Sequence, residues 1–248
     1  MDKKLKREII IVAVFFFIVT GIWAIIFTGF LGKPCFVYLY SYNNQTENGY
    51  VRPDDVYEIS VYYDYKNLKV AEYALKYCNN VTELETYGEH FKNLNFLKGH
   101  QKLKKLELDG ECDDWSMLSD LKNVETLHFL NSDFSDISLI YGYSNLKTLC
   151  FASSDITKKF TSLCNSDALK PFKEMTYFSI WGYIIDIDIL EAVSQLDDDM
   201  TVYLISCGYD GDKEEAKKIL ASLSSKGWDV EFKDGVINAS VNVPSDEK

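Results

Sequence analysis

One pattern recurs along most of this chain and limits what it can fold into: an apolar residue, two of any kind, an apolar residue, one of any kind, and a further apolar residue. It reads VYEISV from Val56, VTELET from Val81, LKKLEL from Leu103, VETLHF from Val124, LKTLCF from Leu146, MTYFSI from Met175 and MTVYLI from Met200. The starts are separated by 25, 22, 21, 22, 29 and 25 residues. The alternation across each frame is that of a strand with one side buried. A unit this short cannot bury that side alone, so successive units must stack. The segment after the frame repeats too, as Asp114-Trp-Ser-Met-Leu, Asp136-Ile-Ser-Leu-Ile and Asp186-Ile-Asp-Ile-Leu. Chance apolar spacing rarely reproduces both parts together.

On these residues the chain resembles the leucine-rich repeat family, most closely its short-unit form with L-x-x-L-x-L followed by a D-I-x-x-L turn, from about Val56 to Ile205. The resemblance implies an α/β fold: a solenoid in which each unit adds one strand to a parallel β-sheet, with a concave face used for binding. The chain departs from the family where Asn usually bonds the turn backbone. Glu89, Glu111, Ser132, Ser154 and Tyr183 stand there, so the asparagine ladder is missing.

The connecting segments differ in character. Residues 66–78 place Leu68, Ala71, Leu75 and Cys78 on one helical face. Residues 186–196 and 212–226 also read as helices, the second with Asp212 as N-cap and Gly227 as stop. The 21- and 22-residue units leave space only for a short turn or 3₁₀ segment. Val230 and Phe232 suggest a final strand. The expected organisation is a cytoplasmic N-terminus at 1–8, an anchor at 9–31, a linker and N-terminal cap at 32–55, the solenoid at 56–236 and a tail at 237–248. Residues 35–42 supply the cap strand, and 43–55 a polar loop.

The anchor is a run of 23 residues without a charge, Ile9 to Leu31. As a helix it spans about 34 Å at 1.5 Å per residue, enough for a hydrocarbon core of about 30 Å. A cleaved signal normally has a shorter apolar stretch and small residues after it, and neither holds here. Lipoprotein processing at Cys35 meets Lys33 and Pro34 where small residues belong. The segment therefore reads as a single-pass transmembrane signal-anchor. Lys3, Lys4, Lys6 and Arg7 precede it and only Lys33 follows closely, which places the N-terminus in the cytoplasm and the domain outside.

With 38 acidic against 26 basic residues, the chain carries −12. Residues 1–8 carry +2, so the rest carries −14, a charge that disfavours nucleic acid. In an oxidising compartment Cys35, Cys78, Cys112, Cys150, Cys164 and Cys207 allow 15 complete disulfide connectivities, with buried free thiols as the alternative. No C-x-x-C occurs, and no cofactor or metal is implied. Asp197-Asp198-Asp199 and Asp210-Gly-Asp212 complete no EF-hand loop and read as a helix end and a turn. Asn44, Asn80 and Asn238 head N-x-S/T sequons, meaningful only in a eukaryotic host.

Fourth and sixth frame positions face the core, so the third, fifth and seventh face the other way. The expected open face is Glu58, Ser60, Tyr62; Glu83, Glu85, Tyr87; Lys105, Glu107, Asp109; Thr126, His128, Leu130; Thr148, Cys150, Ala152; Tyr177, Ser179, Trp181; and Val202, Leu204, Ser206. Glu83, Glu85, Tyr87, Glu107, Asp109, His128, Tyr177 and Trp181 are the candidate partner-binding residues. An acidic face with aromatics suits a protein or peptide partner carrying positive charge. A loop from the long interval, Lys158 to Lys173, is the rival outcome, since it would bury the aromatics. Glu107, His128 and Cys150 share one position on successive strands, which invites a metal or a Cys-His pair, but evenly spaced neighbours do not surround one ion.

Three functions compete. The leading one is a membrane-tethered recognition module, not an enzyme. The second is a structural spacer or a subunit of a membrane assembly, with no G-x-x-x-G in the anchor to mark a dimer. The third is a thiol-dependent enzyme using Cys150 and His128.

Overall fold

The computed structural model describes residues 54, 56–62, 75–87, 90–163, 165, 167–197 and 199–242, apart from the side chains of Val61, Tyr62 and Tyr87. The anchor expected at 9–31, the cap strand at 35–42, Cys35, Cys164, Asn44, Glu89 and most of the helix expected at 66–78 lie outside these residues. Among the described residues no helix is long and apolar enough to cross a membrane.

Every repeated frame forms a five-residue strand or part of a longer one: β1 (Glu58–Tyr62), β2 (Glu83–Tyr87), β3 (Lys105–Asp109), β4 (Thr126–Leu130), β5 (Thr148–Ala152), β6 (Tyr177–Trp181) and β8 (Thr201–Tyr209). They pair in parallel in the order β1-β2-β3-β4-β5-β6-β8, like positions facing like: Leu106 opposite Leu127, Leu127 opposite Leu149, Leu149 opposite Phe178. The short β7 (Ile184–Ile185) pairs with β8. The chain is thus a mixed α/β fold built on a mostly parallel sheet of ten strands.

Leu84, Leu106, Leu127, Leu149 and Phe178 at the fourth position are fully buried, as are Leu108, Phe129, Phe151 and Ile180 at the sixth. A row of rings runs through this core. Phe129 stacks on Phe134 at 4.3 Å and on Phe151 at 5.2 Å, and Trp115 meets Phe129 edge-on at 5.6 Å. Phe160 meets Phe151 at 4.8 Å and Tyr183 at 5.4 Å. Such contacts add stabilisation beyond the area they bury.

The short connections contain 3₁₀ turns, Asn95–Leu97, Ser116–Asp120 and Ile137–Ile140. The recurring Asp opens the last two: its carboxylate accepts a backbone N–H two residues on, from Ser116 to Asp114 at 2.9 Å and from Ser138 to Asp136 at 3.0 Å, as the Asn93 carboxamide oxygen accepts from the Asn95 N–H at 3.1 Å in the first. This is the Asx turn, which satisfies donors left free at the start of a helical turn. The same role falls to Asp186 before α1 (Ile187–Ser194) and to Asp212 before α2 (Lys213–Ser225). Gly227 ends α2 in the left-handed region at φ 94°.

Other side chains join neighbouring strand-and-turn units. Tyr143 Oη donates to the Leu118 carbonyl at 2.7 Å, and Ser162 Oγ to that of Phe134 at 2.5 Å. Asn131 donates to Asp109 at 2.8 Å and accepts from the Ser154 N–H at 2.8 Å, so it bridges three coils.

Two expectations are corrected. The last frame begins one residue earlier than Met200, because Tyr177 pairs with Thr201 and Phe178 with Val202. Val202 and Leu204 are therefore fully buried, and Thr201, Tyr203 and Ile205 stand where Val202, Leu204 and Ser206 were expected. The run Val-Tyr-Leu-Ile is apolar in both phases, so alternation cannot fix its register; pairing with β6 does. Residues 237–241 are not tail: β10 (Val236–Val241) pairs antiparallel with β8 and with β9 (Asp229–Lys233). Asp234 and Gly235 both take the positive φ of a two-residue hairpin turn. The rival outcome, a long interval lying over Trp181, is not what the described residues form. Its Phe160, Leu163, Leu169 and Phe172 are core residues, and Trp181 stays 44% exposed.

Candidate functional site

The side chains opposite the core form three columns across the parallel strands, set by the pairing register. The fifth-position column is a chain of polar contacts. Ser60 Oγ donates to Glu85 Oε2 at 3.2 Å, and Lys105 Nζ pairs with Glu85 Oε1. His128 Nδ1 lies 3.1 Å from Glu107 Oε2, and Cys150 Sγ lies 2.5 Å from Ser179 Oγ. The hydrogen bond to Glu85 raises the Lys105 ammonium above the usual lysine value against the effect of burial, and Glu107 and Glu83 add attraction.

This pairing changes the electrostatics read from sequence. Glu85 and Glu107, expected to face a basic partner, each meet a cationic or imidazole group within the sheet, and Glu107 is 9% exposed. Asp109 accepts from Asn131. Glu83 and Glu58 flank them in the third column, with Glu58 exposed. The backbone of Tyr87 completes β2, and its side chain lies outside the description.

Farther along the sheet the chemistry becomes aromatic. The rings of Tyr177 and Tyr203 lie 5.7 Å apart. Trp181 stands in register between Ala152 and Ile205. Trp115 is half-buried and Trp228 is 9% exposed, which leaves Trp181 as the most exposed tryptophan among the described residues. Sequence reasoning found Tyr177 and Trp181 but missed Tyr203 and Ile205, whose only signal was the ambiguous phase of β8.

No family model matches the chain, and no curated protein matches it. The function must be argued from the face itself.

The Glu107, His128 and Cys150 row is brought together by pairing of like positions. Burial pushes Cys150 above the usual thiol value, its bond to Ser179 opposes this, and Glu107 adds to the rise. Among the described residues no three His, Cys, Asp or Glu side chains converge to hold a metal ion. Cys78, Cys112, Cys150 and Cys207 are free thiols. Burial raises Cys112 to about 11 and Cys207 to about 12, as desolvation of a thiolate requires.

Two sequons carry structural duties instead. Asn80 Nδ2 donates to the Asp54 carbonyl at 2.6 Å, while its oxygen accepts from Lys102 at 2.6 Å. Asn238 accepts from the Ser206 N–H at 2.8 Å, holding that residue at φ 53°. Of the acidic pairs, Asp210 is bonded to Lys159 and Asp212 caps α2.

Proposed function

We propose that the chain is a membrane-tethered recognition module: a leucine-rich-repeat-like solenoid, anchored by residues 9–31 with its N-terminus cytoplasmic, that binds a protein or peptide outside the cell through its concave face. The exposure of Trp181 carries this reading. A tryptophan held on a strand at 44% exposure, flanked by Ala152 and Ile205, offers a large apolar contact at little entropic cost. Because Glu85 and Glu107 are occupied within the sheet, the matching partner presents an apolar or aromatic anchor and only modest positive charge, met by Glu58, Glu83 and Asp109. The raised thiol of Cys150 supports recognition over thiol-dependent catalysis.

The test uses the full-length protein in its own membranes, with a photoreactive residue replacing Ile205 on the proposed face or Ser119 in the connecting turn after β3. Position 205 is expected to give a discrete adduct that disappears with Trp181→Ala, and position 119 none. Equal adducts from both positions, or an adduct indifferent to Trp181→Ala, would remove the basis for this face.

A further inference from the structure

A second feature lies away from the aromatic face, between the helical turn at 75–77 and the 3₁₀ turn Asn95–Leu97. A cavity of about 280 Å³ opens there, bordered by Lys76, Asn79, Asn95, Phe96, Lys98 and His100. In a chain of net charge −12, the described residues around this cavity include two lysines, a histidine and two carboxamides, and no carboxylate.

The contrast with the rest of the surface is informative. Lys104 and Lys147 share Glu125, Lys158 meets Glu111 and Lys159 meets Asp210. Among the described residues neither Lys76 nor Lys98 has a carboxylate within ion-pair distance; Lys76 lies 5.6 Å from the centre of the Tyr77 ring. The cavity wall is held in place. His100 is 8% exposed, packed where the Leu75 carbonyl favours its protonated form against the larger effect of burial. Gly99 sits at φ 89°, which turns the chain back beside the cavity.

We propose that this cavity binds a small oxyanion, a phosphate or carboxylate group carried on a compact organic body. Lys76 and Lys98 supply the positive charge and Asn79 and Asn95 the neutral donors, while Phe96 gives an apolar wall. The volume exceeds that of a bare inorganic anion, so part of it is left for the organic portion. Positive and neutral donor residues bordering one cavity on an otherwise acidic protein create a local attraction that the net charge does not reveal. A free metabolite and a lipid headgroup present the same chemical group.

The test is calorimetric titration of the full-length protein, in micelles of uncharged detergent, with phenyl phosphate, sulfate and a short-chain phosphatidic acid. Saturable binding of phenyl phosphate is expected, about tenfold weaker after Lys76→Ala plus Lys98→Ala and unchanged after Lys173→Ala. Saturation by the lipid alone, with the same response to the lysine variants, assigns the site to a headgroup phosphate. Absence of saturation by all three ligands, or binding that ignores the Lys76 and Lys98 changes, overturns the proposal. Both lysines are exposed, so the variants are expected to fold, and unchanged circular dichroism checks this.

Discussion

Phe129→Ala, set beside Thr126→Ala in the same strand, tests the parity on which the face assignment depends. Phe129 is fully buried, stacked at 4.3 Å on Phe134 and 5.2 Å on Phe151, with Trp115 against its edge. Truncating it removes three ring contacts and leaves a cavity that close-packed neighbours fill only in part. Such changes cost about 3–5 kcal/mol. In a domain of this size each kcal/mol lowers Tm by roughly 2–4 °C, so about 4 kcal/mol lowers it by roughly 8–16 °C. Thr126 lies three residues earlier on the other side of β4, half-buried, and its loss costs at most about 1 kcal/mol. Urea denaturation followed by Trp fluorescence and by circular dichroism measures both variants. Trp115 reports on the altered coil and Trp228 on the end of the sheet. If Thr126→Ala is as damaging as Phe129→Ala, the side of the sheet assigned to the core is wrong, and the recognition face with it.

Gly182→Ala is expected to destabilise by at least about 2 kcal/mol: φ is 70°, and a Cβ there would lie 2.2 Å from the Ser153 carbonyl oxygen. Gly227→Ala, at φ 94° with nothing within 4 Å, costs only the backbone strain of about 1 kcal/mol, and equal effects in urea titration would contradict the close approach. Burial holds His100 below its ordinary value of 6.5, so the unfolded chain binds more protons just below that value. The stabilising effect is full above about 6.5 and is lost as pH falls toward the folded value. Tm should therefore drop more between pH 7.5 and 5.5 in the parent than in His100→Gln, and parallel drops would refute it.

The frame and its Asp-led turns made most of the strand order legible, because each unit repeats both its inward apolar pair and the residue that starts the next turn. Leu106, Leu127 and Leu149 stack as their shared frame position requires. The two helices were equally plain, since Asp186, Asp212 and Gly227 mark their ends. β8 was not, because both of its phases are apolar. The reversal at Asp234 and Gly235 carries its own signal, since Asp-Gly is a favoured hairpin dipeptide, but it comes after the repeat has ended and the frame does not point to it.

The candidate face was legible as a set of residues but not as an electrostatic surface. A strand's alternation tells which side a carboxylate takes. It does not tell that Lys105 leans to Glu85 or that His128 meets Glu107, since those contacts join units 20 and 21 residues apart. The same holds for Asn131, Ser162 and Tyr143, which bond neighbouring units from positions that the repeated frame does not mark.

The sequence by itself determined which side chains go inward, where the turns fall and that like positions stack, because these follow from local periodicity and from the need of each short unit to bury one side. Tertiary structure alone decided the phase of β8, the pairing of the acidic column and the gathering of Lys76, Lys98 and His100 around one cavity. Those depend on which groups meet across coils, and contacts between units distant in the chain leave no periodic trace within any one of them.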